Sequence, residues 1–347
     1  MNILILWASL ADYTVACFRQ LANKPNVNMM LVFQSVNGIA PFDNFDLSFC
    51  QDALEDKNIN FKFLSLKCFD FHPDLVLMAS WNYKHYMKIS KRCKEDGSVI
   101  ISSFDNQWKS SIRQNVARLI SPIYLKPVID NFLVPGDRQA QLSYHLGYKQ
   151  PFYGLYCANS NNFNNARYNS YAKKFLFIGR LIEQKGLRIL LESYEKYRNI
   201  VSDPWELYIV GEGPLKINCQ NRDGVSVKSF VQPSLLCGLF SVSSCFVLPS
   251  LHENWGLVIH EAALAGLPII SSSQCGATTW FLRDGKNGYL VEPEISNLTN
   301  ALIKISNKSI AELERMSDIS KTLGNLWTLD NWADIVYENF QNSIANH

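Results

Sequence analysis

Short apolar runs and longer amphipathic stretches alternate along this 347-residue chain. The runs "NILILW", "NMMLVFQ", "PDLVLMAS", "SVIISS" and "NFLVP" read as strands, and "DYTVACFRQLAN" and "YKHYMKISKRCKED" read as helices. The second half repeats the rhythm with clearer punctuation. Strands are expected at "KFLFIG", "WELYIVG", "VSVKSFV", "CFVLPS", "PIISSS" and "NGYLVEP", and helices at "LRILLESYEKYRN" and "GLVIHEAALAG". Such alternation predicts parallel α/β sheets, and its recurrence predicts two doubly wound domains.

Length agrees, since one hydrophobic core stops growing well before this size. The polar, asparagine-rich "CANSNNFNNARYNSYAK" has the composition of a linker. The expected division is an N-terminal domain over 1–156, a linker over 157–173, a C-terminal domain over 174–325 and a last helix over 326–347. Trp332, Ile335, Val336 and Phe340 fall at helical spacing in that last helix, and their stripe needs cover.

Composition narrows the class. Apolar residues make up 47% and charged residues 18%, enough to fill two cores and too apolar for a disordered chain. Nine cysteines without a Cys-x-x-Cys pair indicate neither a disulfide framework nor a zinc site, so a reducing, cytoplasmic setting is expected. The first residues lack a basic leader region, and no apolar run reaches the roughly 18 residues a membrane span needs. A net charge of +2 argues against a general nucleic-acid binder. The basic residues are unevenly spread, however. Between Trp108 and Val128 stand Lys109, Arg113, Arg118 and Lys126 with no acid, interleaved with Ile112, Val116, Leu119 and Ile120. That segment suits an anionic bilayer surface, and equally an ordinary helix packed on its sheet.

Ligands of open α/β sheets gather beyond the carboxyl ends of the strands, so the loops there carry the candidate chemistry. After "KFLFIG", Arg180 and Lys185 precede a helix starting near Gly186, an arrangement fit for a phosphate or diphosphate. On the residues alone, two surface cations explain it as well. After "WELYIVG", Gly211 and Gly213 allow a tight turn and close backbone approach to a ligand, and a purely structural turn explains them as well. After "CFVLPS", Glu253 lies just before a helix and Glu261 lies within it, separated by seven residues in an apolar setting. A carboxylate placed there needs donors, for which ligand hydroxyls serve; capping the helix and pairing with an arginine is the alternative. His252 and His260 read as packing neighbours, because no further ligands complete a metal set. After "PIISSS", Gly276, Ala277 and Thr278 offer a second anion-facing nest or a plain turn, and Cys275 lacks an activating base.

Taken in order, "FIGRL…KGL…YIVGEGP…VLPS…HENWGLVIHEAALAGLPII…CGA…DGKNGYLVEP", from about Phe175 to Pro293, resembles the C-terminal domain of the group 1 retaining glycosyltransferases. That family includes enzymes of bacterial cell-surface glycans and of the sucrose-phosphate type. The resemblance implies a GT-B fold, with two Rossmann-like domains facing across a cleft and the last helix returning to the N-terminal domain. It implies transfer of a sugar, with retention, from a UDP or GDP sugar to a glycan or lipid-linked acceptor. Arg180 and Lys185 would hold the diphosphate, Glu261 the ribose hydroxyls, and Glu253 the donor sugar together with main-chain groups from Asn254, Trp255, Gly256 and Leu257. No cofactor and no metal is expected, the cations supplying the charge. The N-terminal half departs from the family: "WASLADYT" lacks the usual glycine pair, and "SSFDNQWKSS" stands where a histidine is common. Ser9, Leu10, Asp105, Asn106 and Gln107 are the candidate contacts there. Two rival readings use the same fold, a nucleotide-sugar epimerase or hydrolase and a non-catalytic nucleotide-sugar binder. The former needs an acid/base pair in the N-terminal domain, of which Asp105 supplies only one member.

Overall fold

The computed structural model describes residues 1–34, 45–56 and 60–346. The chain forms two compact units, one of Met1–Cys157 with the residues from Leu329 onward, the other of Ala158–Thr328.

Among the described residues the first unit carries a seven-stranded sheet in the order β3-β2-β1-β4-β5-β6-β7, every pairing parallel. Its strands are β1 (Asn2–Trp7), β2 (Asn28–Phe33), β3 (Asp52–Glu55), β4 (Leu75–Met78), β5 (Val99–Ser103), β6 (Asn131–Val134) and β7 (Phe152–Tyr153). The central strands β1, β4 and β5 are buried almost throughout, which is why their sequences run apolar without alternation. Ile3 stands beside Met29 on one side and Leu75 on the other. The edge strands β3 and β7 escape a sequence reading because "DALE" and "FY" carry no apolar run; pairing with β2 and β6 holds them extended.

Helices α1 (Asp12–Ala22), α2 (Phe61–Asp70), α3 (Lys84–Glu95), α4 (Ile112–Tyr124) and α5 (Asp137–His145) connect these strands. The last helix, Leu329–Ala345, belongs to the same unit and packs on α1. Its stripe is covered at Trp332, Val336 and Phe340, while Ile335, one position round the helix, is 40% exposed. Polar contacts fix its register: Lys24 pairs with Asp334, Gln20 with Asp330, and the Tyr337 hydroxyl donates to the Pro25 carbonyl at 2.9 Å.

The second unit carries a six-stranded parallel sheet in the order β10-β9-β8-β11-β12-β13. These are β8 (Lys174–Ile178), β9 (Glu206–Val210), β10 (Val225–Lys228), β11 (Cys245–Leu248), β12 (Ile269–Ser272) and β13 (Gly288–Val291). Its first helices are α6 (Leu187–Ile200), α7 (Lys216–Cys219), α8 (Leu236–Ser241), α9 (Leu257–Leu264) and α10 (Thr278–Phe281). The asparagine-rich segment expected as a linker over 157–173 packs closely here from Ala158 onward. Phe163 meets Phe240 edge-on at 5.7 Å, the Tyr168 hydroxyl donates to the Ser244 carbonyl at 3.0 Å, and Ser170 is buried. Its asparagines disguise anchors spaced too irregularly to show a period. Among the described residues no helix is long and apolar enough to cross a membrane.

Candidate active site

In the second sheet β8 and β11 are neighbours, while their successors β9 and β12 lie on opposite sides. The strand order therefore reverses between them, leaving a crevice beyond their carboxyl ends. Two loops meet at that crevice. The loop after β8 passes through a single 3₁₀ turn, Glu183–Lys185, into α6; the loop after β11 leads through Pro249–Gly256 into α9.

The loops are tied along their backbones. Leu251 N–H donates to the Gln184 carbonyl at 2.9 Å, and Gln184 Nε2 donates to the His252 carbonyl at 2.9 Å. Gly186 has φ +69°, and a Cβ on it would lie 1.9 Å from the Pro249 carbonyl oxygen, so only glycine permits the approach. This contact sets Lys185 against Glu253: the two form an ion pair with side chains only 13% and 14% exposed. Arg180 remains exposed on the same loop. The two residues expected to act as a pair of cations are thus in different states, one paired with a carboxylate and one facing water.

Gly211 has a structural reason of its own. A Cβ there would lie 1.9 Å from the Gly179 carbonyl oxygen, and Leu181 N–H donates to the Glu212 carbonyl at 2.7 Å. Gly211 and Gly213 therefore let the loop after β9 buttress the loop bearing Arg180.

Helices α6 and α9 both start from a glycine with no side-chain cap, so no capping side chain covers their first-turn N–H groups, although in α9 the Ile259 N–H bonds back to the Gly256 carbonyl at 2.9 Å. Glu253 and Asn254 lie ahead of α9, Gly256 is its left-handed N-cap, Leu257 its first residue, and Glu261 is half-buried within it. Trp255 is 3% exposed, edge-on to Trp280 at 5.5 Å, so its ring belongs to the core and only its main chain can meet a ligand. His260 is a structural link. Its Nδ1 accepts from Ala158 N–H at 3.1 Å, which leaves the Nε2 proton for the Gly324 carbonyl at 3.1 Å, and its ring stacks on Phe281. Burial pushes its pKa down to about 4.

Of the two readings at Gly276, a nest or a plain turn, the main-chain bonds favour the turn. Gly276 N–H donates to the Glu253 carbonyl and Ala277 N–H to the Trp255 carbonyl, at 3.3 and 2.8 Å. These bonds hold the Glu253 loop rather than an anion. Burial pushes the Cys275 thiol up, which removes it as a nucleophile. Among the described residues no group of three or more His, Cys, Asp and Glu is placed to hold a metal ion.

In the first unit the order reverses between β1 and β4. After β1, Ser9 is exposed, whereas the Leu10 side chain is 5% exposed and belongs to the core, so Leu10 can reach a ligand only through its main chain. Asp12 occupies the first turn of α1 and disfavours a phosphate there. Asp105 accepts from the Tyr156 hydroxyl at 3.3 Å. Asn106 and Gln107 line a cavity of about 260 Å³ together with Trp81, Asn82, Lys109 and Arg113. Arg113 Nη2 donates to Asn82 Oδ1 at 3.1 Å.

Trp81 and Asn82 belong to no recognisable motif. Their signal was position alone: they follow "LVLM", a strand at the switch point. His85, at the start of α3, likewise stands in no motif, and its Nε2 lies 3.1 Å from Asp56 Oδ2. The Tyr86 hydroxyl bridges the same carboxylate and the Trp7 carbonyl, both at 3.0 Å. Asp56 and His85 are 29 residues apart, and no local spacing announces the pair.

Residues 172–308 match the family described as Glycosyl transferases group 1. A 2-deoxystreptamine N-acetyl-D-glucosaminyltransferase of Niallia circulans is 28% identical over 155 residues, covering 42% of this chain and 39% of that protein. A UDP-Gal:alpha-D-GlcNAc-diphosphoundecaprenol alpha-1,3-galactosyltransferase of Escherichia coli is 30% identical over 149 residues, covering 40% and 38%. The matched stretch is thus less than half the length of each relative. Among solved structures, a sucrose-phosphate synthase from Thermosynechococcus elongatus matches 100% of this chain and 99% of its own, with a TM-score of 0.76 at 15% identity. That likeness shows the fold, the two-unit parallel α/β architecture named GT-B.

Proposed function

Since residues 172–308 match the family of group 1 glycosyltransferases, we propose that the chain is a retaining enzyme that moves a hexosyl group from a nucleoside-diphosphate sugar to a glycan or lipid-linked acceptor in cell-surface polysaccharide synthesis. The observation that carries this reading is the Lys185–Glu253 pair at the strand-order reversal, between two helix starts without side-chain caps. A donor diphosphate is an anion that exchanges with Glu253 for Lys185, with Arg180 and the first turns of α6 and α9 adding positive potential. Glu253, released, accepts hydrogen bonds from sugar hydroxyls, and Glu261 accepts those of the ribose.

In the transfer the bond between the anomeric carbon and the phosphate oxygen breaks and negative charge develops on the diphosphate. The cations and helix starts stabilise that charge, and no metal is needed for it. The acceptor oxygen attacks on the same face, and its proton passes to the departing phosphate oxygen. A relative whose name gives UDP-Gal as donor and a diphosphoundecaprenol-linked sugar as acceptor supports uridine diphosphate and a lipid-linked acceptor.

A thermal-shift screen against UDP, GDP, ADP and CMP sugars tests the donor. A ligand at 100 times its dissociation constant stabilises by about 2.7 kcal/mol, and a response to none of them counts against the reading. An inverted product anomer by NMR would rule out retention.

The epimerase or hydrolase reading gains one observation, the His85–Asp56 pair, which supplies the acid/base couple that Asp105 alone did not. Incubating donor without acceptor separates the two: free sugar or an epimer formed as fast as transfer favours the second reading. Nucleotide-sugar binding without any turnover favours a non-catalytic binder.

A further inference from the structure

Helix α4 turns its apolar side outward. Ile112, Leu119 and Ile123 are 86%, 78% and 80% exposed, with Val116, Ile120 and Tyr124 also exposed. These positions recur at helical spacing and form one stripe, while Ser121, on the opposite side of the helix, is its buried residue. An ordinary helix packed on its sheet would bury the stripe and expose the serine.

The orientation is held firmly. Ser121 Oγ donates to the Leu146 carbonyl at 2.7 Å, and Ser111 caps the helix by accepting from Gln114 N–H. Gln114 Nε2 donates to the Gln107 carbonyl at 2.7 Å, and its Oε1 accepts from Lys109 N–H at 2.7 Å. The apolar face therefore does not reflect a loosely attached segment.

What covers the stripe follows from the charge around it. Lys109, Arg113, Arg118 and Lys126 are exposed beside it, and no acid lies between Trp108 and Val128. A two-fold-related copy would set these cations against their own equivalents, which is unfavourable. An anionic bilayer answers both features at once, taking the stripe into its headgroup–acyl boundary and the cations among its phosphates. We infer that α4 is a docking helix that lies flat on an anionic membrane surface. One edge of the stripe, Val116, Ile120 and Tyr124, lines a cavity of about 320 Å³ together with Trp81, Asn82 and Arg113, so docking brings the loops of the first unit to the lipid surface. The inference does not depend on the transfer reaction.

Co-sedimentation of the full chain with vesicles tests it, comparing pure phosphatidylcholine with vesicles one-third phosphatidylglycerol. The chain should sediment with the anionic vesicles, weakly with the neutral ones, and less as salt rises. Leu119→Ser/Ile123→Ser should lower partitioning at least about tenfold, since it removes two of the three most exposed apolar side chains of the stripe. Arg113→Gln/Arg118→Gln should lower it by about fivefold per cation at low salt. All four positions are exposed, so unchanged thermal unfolding is expected and confirms that the variants are folded. Binding to neither vesicle, equal binding to both, or full binding by the Leu119/Ile123 variant overturns the inference. A concentration-dependent dimer in ultracentrifugation that the same variant dissolves also overturns it, by assigning the stripe to a second copy.

Discussion

If the donor diphosphate displaces Glu253 from Lys185, removing the Glu253 charge should tighten nucleotide binding while it slows transfer. Glu253→Gln keeps the side-chain volume and leaves the Lys185 ammonium without an anionic partner in a site where both side chains are less than 15% exposed. On the proposed exchange, that pair is broken in the native chain when the diphosphate binds. A hydrogen bond between charged groups contributes about 1.5–3 kcal/mol. The remaining exposure of both groups brings this to about 1–2 kcal/mol. The variant no longer loses that amount on binding, so its dissociation constant for UDP should fall roughly 5- to 30-fold. The unliganded variant should be destabilised by a similar amount, because the lysine has lost its neighbour. Turnover should drop instead, since Glu253 no longer grips the sugar as charge develops at the reacting carbon. Titration calorimetry with the free nucleoside diphosphate gives the affinity, thermal unfolding the stability, and steady-state kinetics the rate. Lys185→Ala is the companion variant and should weaken UDP binding. Weaker UDP binding by Glu253→Gln, or unchanged binding by Lys185→Ala, would refute the exchange of partners.

Glu261→Ala should weaken the free nucleoside diphosphate and the whole donor alike, by about 1.5–3 kcal/mol, if it holds the ribose; calorimetry showing a loss for the donor alone would move it to the sugar. Because His260 takes a proton near pH 4 when folded and near 6.5 when unfolded, its contribution to stability is complete above pH 6.5 and is lost as pH falls towards 4. That loss is on the order of 3 kcal/mol, and His260→Gln should flatten the pH dependence of denaturant unfolding in this window; an unchanged slope would show that His260 does not set it. Transfer should survive EDTA, because Arg180, Lys185 and the helix starts carry the charge; activity lost to the chelator and restored by Mg²⁺ or Mn²⁺ would show otherwise.

Local pattern settled the class of this protein before any contact was known. Apolar runs such as "NILILW" and "CFVLPS" are strands because burial on both faces demands continuity, and a helix follows each wherever a 3.6-residue period resumes. The loops at strand ends named Arg180, Lys185 and Glu253, and the helix that follows named Glu261, for the same reason: each candidate sits on or beside the element that presents it.

Strand order, which no local window contains, decided what those residues do together. The adjacency of β8 and β11 joins Lys185 to Glu253 across 68 positions of sequence, and it uses the Gly276 and Ala277 N–H groups to hold the Glu253 loop. Asp56 and His85 met in the same way, brought together by the ends of separate elements. For α4 the period was legible but its sense was not, since an apolar stripe looks the same whether it faces a sheet or the solvent. Periodicity is a property of neighbouring side chains, whereas pairing and orientation depend on which distant surface each element packs against, and that surface exists only once the sheet has assembled.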